Sequence, residues 1–259
     1  MKEFKYLAMI LCFSALVACS SSSDEDDNNV EYDPCEQIGA KIINGDVCSE
    51  GKNTIVKLNL YDANGGDIGI CTGTAITQRA IITAAHCFLG GVQGVIVDTG
   101  EKSIQAIDVA IHPDFGPDST ESSLLHDVAI LYVNEDLNVS VYPILVSEEA
   151  DKNADAIVTG YGIDEDGDYG KLQAGNATIE GVSEDHIWFE YDGNGANTCQ
   201  GDSGGPLLVV KGTGWVIAGI TSSGNVAGCR EGDLSLYTNM ANVSNANFVF
   251  SRVPAAVAK

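Results

Sequence analysis

Basic residues are scarce in this chain: 13 Lys and Arg stand against 37 Asp and Glu over 259 residues, a formal charge of −24. A field of that sign argues against nucleic acid and an anionic bilayer surface as partners, and at low salt it attracts basic ones. No apolar run is long enough to cross a bilayer as a helix; the run over residues 6–18 falls short. Helical periodicity is missing except near residues 243–250, and no internal repeat is evident, so helical bundles and solenoids are excluded. Disorder is not indicated beyond the N-terminal region: 44% hydrophobic residues can fill one large core or two small ones.

What is present is alternation. Val56, Leu58 and Leu60 alternate with Lys57 and Asn59, and short apolar runs recur at 94–97, 127–133, 186–191, 206–210 and 215–221. Short strands punctuated by glycine turns predict an all-β barrel or sandwich. At the N-terminus, Lys2 and Lys5 precede the apolar run, which reads as an export signal. Leu16-Val17-Ala18-Cys19 resembles a bacterial lipobox, in which Cys19 is acylated and becomes the mature N-terminus. Ser20 stands where an inner-membrane retention signal often has Asp, so the resemblance implies an outer-membrane lipoprotein of the cell envelope, facing the periplasm or the surface. Residues 20–41 are rich in Ser, Asp and Asn and form a tether.

Chemistry concentrates at Thr198-Cys-Gln-Gly-Asp-Ser-Gly-Gly-Pro206. Three glycines allow a tight turn with Ser203 at its apex. A serine hydroxyl needs a base to take its proton and donors to hold the resulting oxyanion. Of four histidines, His86 lies in Thr83-Ala-Ala-His-Cys87, whereas His112, His126 and His186 read as structural or surface residues. His126 adjoins Asp127, but neighbours on a strand face opposite ways.

Gly201-Asp-Ser-Gly-Gly-Pro206, the Thr83–Cys87 motif and Asp127-Val-Ala-Ile-Leu131 together resemble the signatures of the trypsin-like (chymotrypsin-fold) serine proteases, in the family order His, Asp, Ser. The resemblance implies two six-stranded antiparallel β-barrels with a short C-terminal helix, covering residues 42–250 of a protease domain at 42–259. It assigns His86, Asp127 and Ser203 as the catalytic triad, the N–H groups of Gly201 and Ser203 as the oxyanion hole, and Ser222 as the support of Asp127. It also implies an activation junction at Lys41-Ile42, after which the Ile42 ammonium pairs with Asp202. Protein or peptide substrates and a monomer are implied; no cofactor and no metal are.

Eight cysteines include Cys12 in the signal and Cys19 at the lipid site. Fifteen pairings of the remaining six are open from sequence. The resemblance implies Cys71–Cys87 and Cys199–Cys229, which leaves Cys35 to Cys48. That last bridge straddles Lys41-Ile42 and would keep the cleaved tether attached.

The primary specificity pocket is where the likeness weakens. Asn197 stands where trypsin has an aspartate at the pocket base, Gly224 matches one open wall, and Ser235 replaces the other glycine. An uncharged floor implies an uncharged P1 residue, and therefore a separate activating protease for Lys41. The acidic run at 164–168 alternates carboxylates but lacks the spacing and closing Glu of an EF-hand, and reads as a solvated loop. The Asn-x-Ser/Thr sites at Asn138, Asn176 and Asn242 carry little weight in a bacterial chain. The competing reading is a protease-like binding module that has lost turnover.

Overall fold

Alternation along the strands builds the core. The computed structural model describes residues 46–47, 53–119, 123–164, 166–225 and 228–259. Cys19, Cys35, Lys41, Ile42 and Cys48, with the whole signal and tether, lie outside the described residues. The first half carries β1 (Asp46–Val47), β2 (Ile55–Tyr61), β3 (Asp67–Thr77), β4 (Ala80–Thr83), β5 (Gly94–Asp98), β6 (Ser103–Ile111), β7 (Gly116–Pro117), β8 (Leu124–Leu125) and β9 (Ala129–Val133). The second half carries β10 (Asp155–Gly160), β11 (Gln173–Thr178), β12 (Gly181–Val182), β13 (His186–Tyr191), β14 (Pro206–Lys211), β15 (Gly214–Ser223), β16 (Asp233–Asn239) and the helix α1 (Val243–Arg252).

Strands β2-β3-β4-β9-β6-β5 form a closed antiparallel barrel, sealed where β5 returns to β2. Val56 and Leu58 of β2 are fully buried, as are Ile81, Ile82, Val97 and Ile130. Closure leaves no unpaired edge to recruit another chain. The second sheet runs β1-β11-β10-β14-β15-β16-β13-β12. Its ends, β11 and β12, are one bent run of chain. Between them the Ile179 N–H donates to Ala154 O and the Glu180 N–H to Trp188 O, both at 3.0 Å. One run therefore serves both β10 and β13 and closes a second barrel of six runs, with β1 added against β11. The architecture is the all-β, two-barrel chymotrypsin-like fold, with one short C-terminal helix.

Helix α1 begins at Asn242, whose side-chain oxygen accepts the N–H groups of Ser244 at 2.8 Å and Asn245 at 3.4 Å. This N-cap satisfies two of the first-turn donors that have no intrahelical partner. The helix runs two residues beyond the periodicity seen in the sequence. One strand differs more. Asp127 and Val128 precede β9, because His126 takes a left-handed φ of 52° that interrupts extended pairing.

Candidate active site

His86 lies on a short 3-10 turn, Ala85–Phe88, that follows β4 directly. Its neighbour Cys87 is bridged to Cys71 of β3, which pins the turn to the first barrel. The Asp127 side chain has no exposed surface. Its Oδ1 accepts the His86 backbone N–H at 2.8 Å, and its Oδ2 accepts His86 Nδ1–H at 2.7 Å and the Ser222 hydroxyl at 2.6 Å. A carboxylate can only accept, so Nδ1 carries the hydrogen and Nε2 keeps a lone pair. Three donors compensate a buried anion that would otherwise be costly.

The loop bearing Ser203 comes from the second barrel and is clamped to the first. Thr72 of β3 is the clamp. Its N–H donates to Ser203 O at 2.8 Å, its hydroxyl donates to Gly201 O at 2.9 Å, and the same hydroxyl accepts the Tyr161 N–H at 3.0 Å. Gly204 adopts a φ of 84°, and a Cβ there would sit 2.1 Å from Thr83 Oγ1 and 2.8 Å from Ala84 N. Only glycine lets the loop lie this close to the end of β4, three residues before His86. Among the described residues, the N–H groups of Gly201 and Ser203 donate to no protein acceptor.

Asp202 points the other way, into the protein, and is 1% exposed. It accepts the Gly162 N–H through Oδ1 and the Cys199 N–H through Oδ2, both at 2.8 Å. Burial pushes its carboxyl up to about 7, against the pull of those two hydrogen bonds. Among the described residues no cation pairs with it.

A cavity of about 360 Å³ opens beside Ser203, walled by Ser222, Gly224, the Cys199–Cys229 bridge and Asp233. Asn197 and Ser235 are buried behind that wall: the Ser235 hydroxyl donates to Asn197 Oδ1 at 2.7 Å and shares a 2.9 Å hydrogen bond with Thr198. Asn197 Nδ2 in turn donates to Asp233 Oδ2 at 3.2 Å. A carboxylate therefore stands beside the uncharged floor.

The family described as Trypsin matches residues 42–246. The chain belongs to the trypsin family. It is similar to ovochymase of Halocynthia roretzi, 24% identical over 80% of this chain but only 15% of ovochymase. It is 29% identical to serine protease Hayan of Drosophila melanogaster, over 80% of this chain and 40% of Hayan, and so spans less than half of either relative. Serine protease 1 of Drosophila melanogaster is matched over 84% of its length at 27% identity. A solved structure named HL collagenase aligns with a TM-score of 0.69 at 23% identity, covering 82% of this chain and 99% of that one; this likeness carries the fold.

Against the trypsin-family pattern, sequence reasoning overlooked Thr72, Gly162 and Asp233. Thr72 carries no signal beyond following Cys71. A Cβ at Gly162 would lie 2.5 Å from the Asp202 carboxyl carbon, a crowding invisible in sequence. Asp233 had one signal, an acid heading the strand that carries Ser235. The other histidines are structural. His112 is buried and stacks on His126 with ring centroids 4.5 Å apart, His126 Nδ1 meets Asn245 Oδ1 at 2.8 Å, and His186 Nε2 meets Leu124 O at 2.8 Å. His126 faces away from the triad because of its left-handed backbone, not because of strand alternation. In the acidic loop Asp164 Oδ1 accepts the N–H groups of Asp166 and Asp168, and Asp168 pairs with Lys171 at 2.9 Å.

Proposed function

We propose that this chain is a serine endopeptidase. The observation that carries the reading is the buried Asp127 carboxylate, held by two His86 donors and by Ser222, which leaves His86 Nε2 as a base. Nε2 takes the Ser203 proton as Oγ attacks the scissile carbonyl carbon, and the carbonyl electrons move onto oxygen. The Gly201 and Ser203 N–H groups hold that oxyanion; losing one such donor typically costs about 3 to 4 kcal/mol in the barrier. Collapse expels the amine, which leaves with the proton from His86, and the serine ester remains. Water, deprotonated by His86, attacks the ester and frees the acid. Asp127 fixes the tautomer and stabilises the imidazolium.

The same reading makes the chain a zymogen. Cleavage at Lys41-Ile42 would supply an ammonium to Asp202, whose burial with no cation beside it among the described residues is the supporting observation. Signal 1–19, tether 20–41 and domain 42–259 complete the proposed organisation, with acylated Cys19 as an envelope anchor. The two disulfides among the described residues fit an oxidising compartment.

The test is labelling by a fluorophosphonate before and after cleavage at Lys41. Strong labelling only of the cleaved form, absent in Ser203→Ala, is expected. A chain that takes no label in either state is not a protease. Cys19→Ser is expected to move the protein from the membrane to the soluble fraction; persistence on the membrane would remove the lipid anchor from the proposal.

A further inference from the structure

Gln173 is 1% exposed, yet among the described residues neither its Oε1 nor its Nε2 has a hydrogen-bond partner. A carboxamide buried in this way has left water without finding a substitute for it. Its backbone is fixed: the Thr159 hydroxyl donates to Gln173 O at 2.7 Å, and β11 pairs Gln173 with Gly160 of β10 on one side and Val47 of β1 on the other. Directly opposed residues of an antiparallel pair present their side chains on one face of the sheet. A Cβ at Gly160 would lie 2.2 Å from Asp202 Oδ1, so Gln173 leaves the sheet on the face that the Asp202 carboxyl occupies. Among the described residues, that face carries a buried carboxyl with no cation beside it and a buried carboxamide with no partner.

The two groups together select among ligands. A lysine side chain brings donors only, and would leave the Nε2–H groups of Gln173 unpaired. A chain N-terminus brings an ammonium followed directly by peptide groups, each an acceptor and a donor, which a carboxamide matches in both senses. The strand β1 starts at Asp46, whose register partner Ala174 adjoins Gln173, and Ile42 is four residues earlier, a stretch of at most about 14 Å. We propose that Gln173 is a positioning residue of the activated enzyme: its carboxamide hydrogen-bonds a peptide group of the new N-terminal segment 42–45 and so holds the Ile42 ammonium on Asp202, the neighbour of Ser203. The proposal rests on the zymogen reading above. Hydrolysis adds water across Lys41-Ile42, leaving a carboxylate on Lys41 and the ammonium on Ile42, so the precursor lacks this ligand and the cleaved chain has it. Gln173 therefore acts with opposite sign in the two forms, as an unpaired polar group before cleavage and a paired one after it.

The full chain is cut at Lys41 with immobilised trypsin, the trypsin is removed, and wild type is compared with Gln173→Met, which keeps the unbranched length of the side chain without its amide. Melting is expected to move in opposite directions: up by about 2 to 4 °C in the precursor, where an unpaired amide is removed, and down by about as much in the cleaved form, where a paired one is. Reaction of the Ile42 amine with cyanate, followed by mass spectrometry, should be about tenfold faster in the cleaved variant than in the cleaved wild type. By linkage, a tenfold weaker insertion lowers the alkaline midpoint of fluorophosphonate labelling by about one pH unit, because the amine must be charged to stay on Asp202. Equal melting shifts in both forms would make Gln173 a packing residue and overturn the assignment, as would equal cyanate rates or an unmoved alkaline midpoint. A cleaved wild type whose Ile42 amine reacts as fast as that of a free peptide removes the zymogen reading and the assignment with it, and that measurement needs no variant to fold. A cleaved wild type whose amine is protected but whose Ser203 takes no label loses only the protease reading, and the melting and cyanate comparisons still decide Gln173.

Discussion

Thr72 shows how a single hydroxyl can serve two barrels. It gives a hydrogen to Gly201 O and takes one from the Tyr161 N–H, so Thr72→Val leaves a half-buried carbonyl and a buried N–H unsatisfied. The expected cost is about 1 to 3 kcal/mol in stability, read by thermal melting, with kcat lowered more than KM is raised because the loop holding Ser203 keeps its hydrogen bond to the residue 72 N–H but loses the one from the hydroxyl to Gly201 O. Asp202 gives a pH signature. Its folded pKa, about 7, lies above the ordinary value of 3.8, so its contribution to precursor stability is fully present below about pH 4 and is lost as pH rises through 7. Melting of the Ser203→Ala precursor should show that decline; Asp202→Asn should not, and on the proposed zymogen reading neither should the cleaved form, in which the new ammonium would keep the carboxylate charged. At this scale His86, Asp127 and Ser203 stood out as candidate site residues because each sits in a short contiguous motif. Asp233 was not, because its partner Asn197 is 36 residues away and the two meet only across the sheet.

Among the elements, strand positions were legible from alternation, since β13 spans the same residues in the sequence and in the structure. The closure of the second barrel was not. Nothing in residues 173–182 announces that one run pairs with β10 and then, past Ile179 and Glu180, with β13. Helix α1 depends on its cap more than on its length. Asn242 also donates to Asp185 at 3.2 Å, tying the cap to the turn before β13. Asn242→Ala should cost about 1 kcal/mol and lower Tm by about 2 to 4 °C. A melt unchanged within half a degree would mean that the packing of Phe248 and Val249, both buried, holds the helix without its cap.

For the whole molecule, on the proposed protease reading, the excess of acid would set how substrates arrive. With a formal charge of −24, encounter with basic peptides should be fast at low salt and slow as screening shortens the field to about 8 to 10 Å. The measurement is kcat/KM from 0.02 to 0.5 M NaCl. A fall for peptides with several Lys, and little change for neutral ones, is expected; equal dependence for both would assign the effect to the fold rather than to steering.

Because His86 and Asp127 belong to one barrel while Ser203 and Ser222 belong to the other, the site works as a gauge of their alignment. The chain has two tryptophans, Trp188 on β13 and Trp215 on β15, both in the second barrel. Intrinsic fluorescence therefore watches one half of the protein, and turnover, on the proposed reading, would watch the seam between halves. Under mild denaturant the enzyme is expected to fall silent while its fluorescence still reads native, and a stability screen based on tryptophan alone would pass variants that have already come out of true.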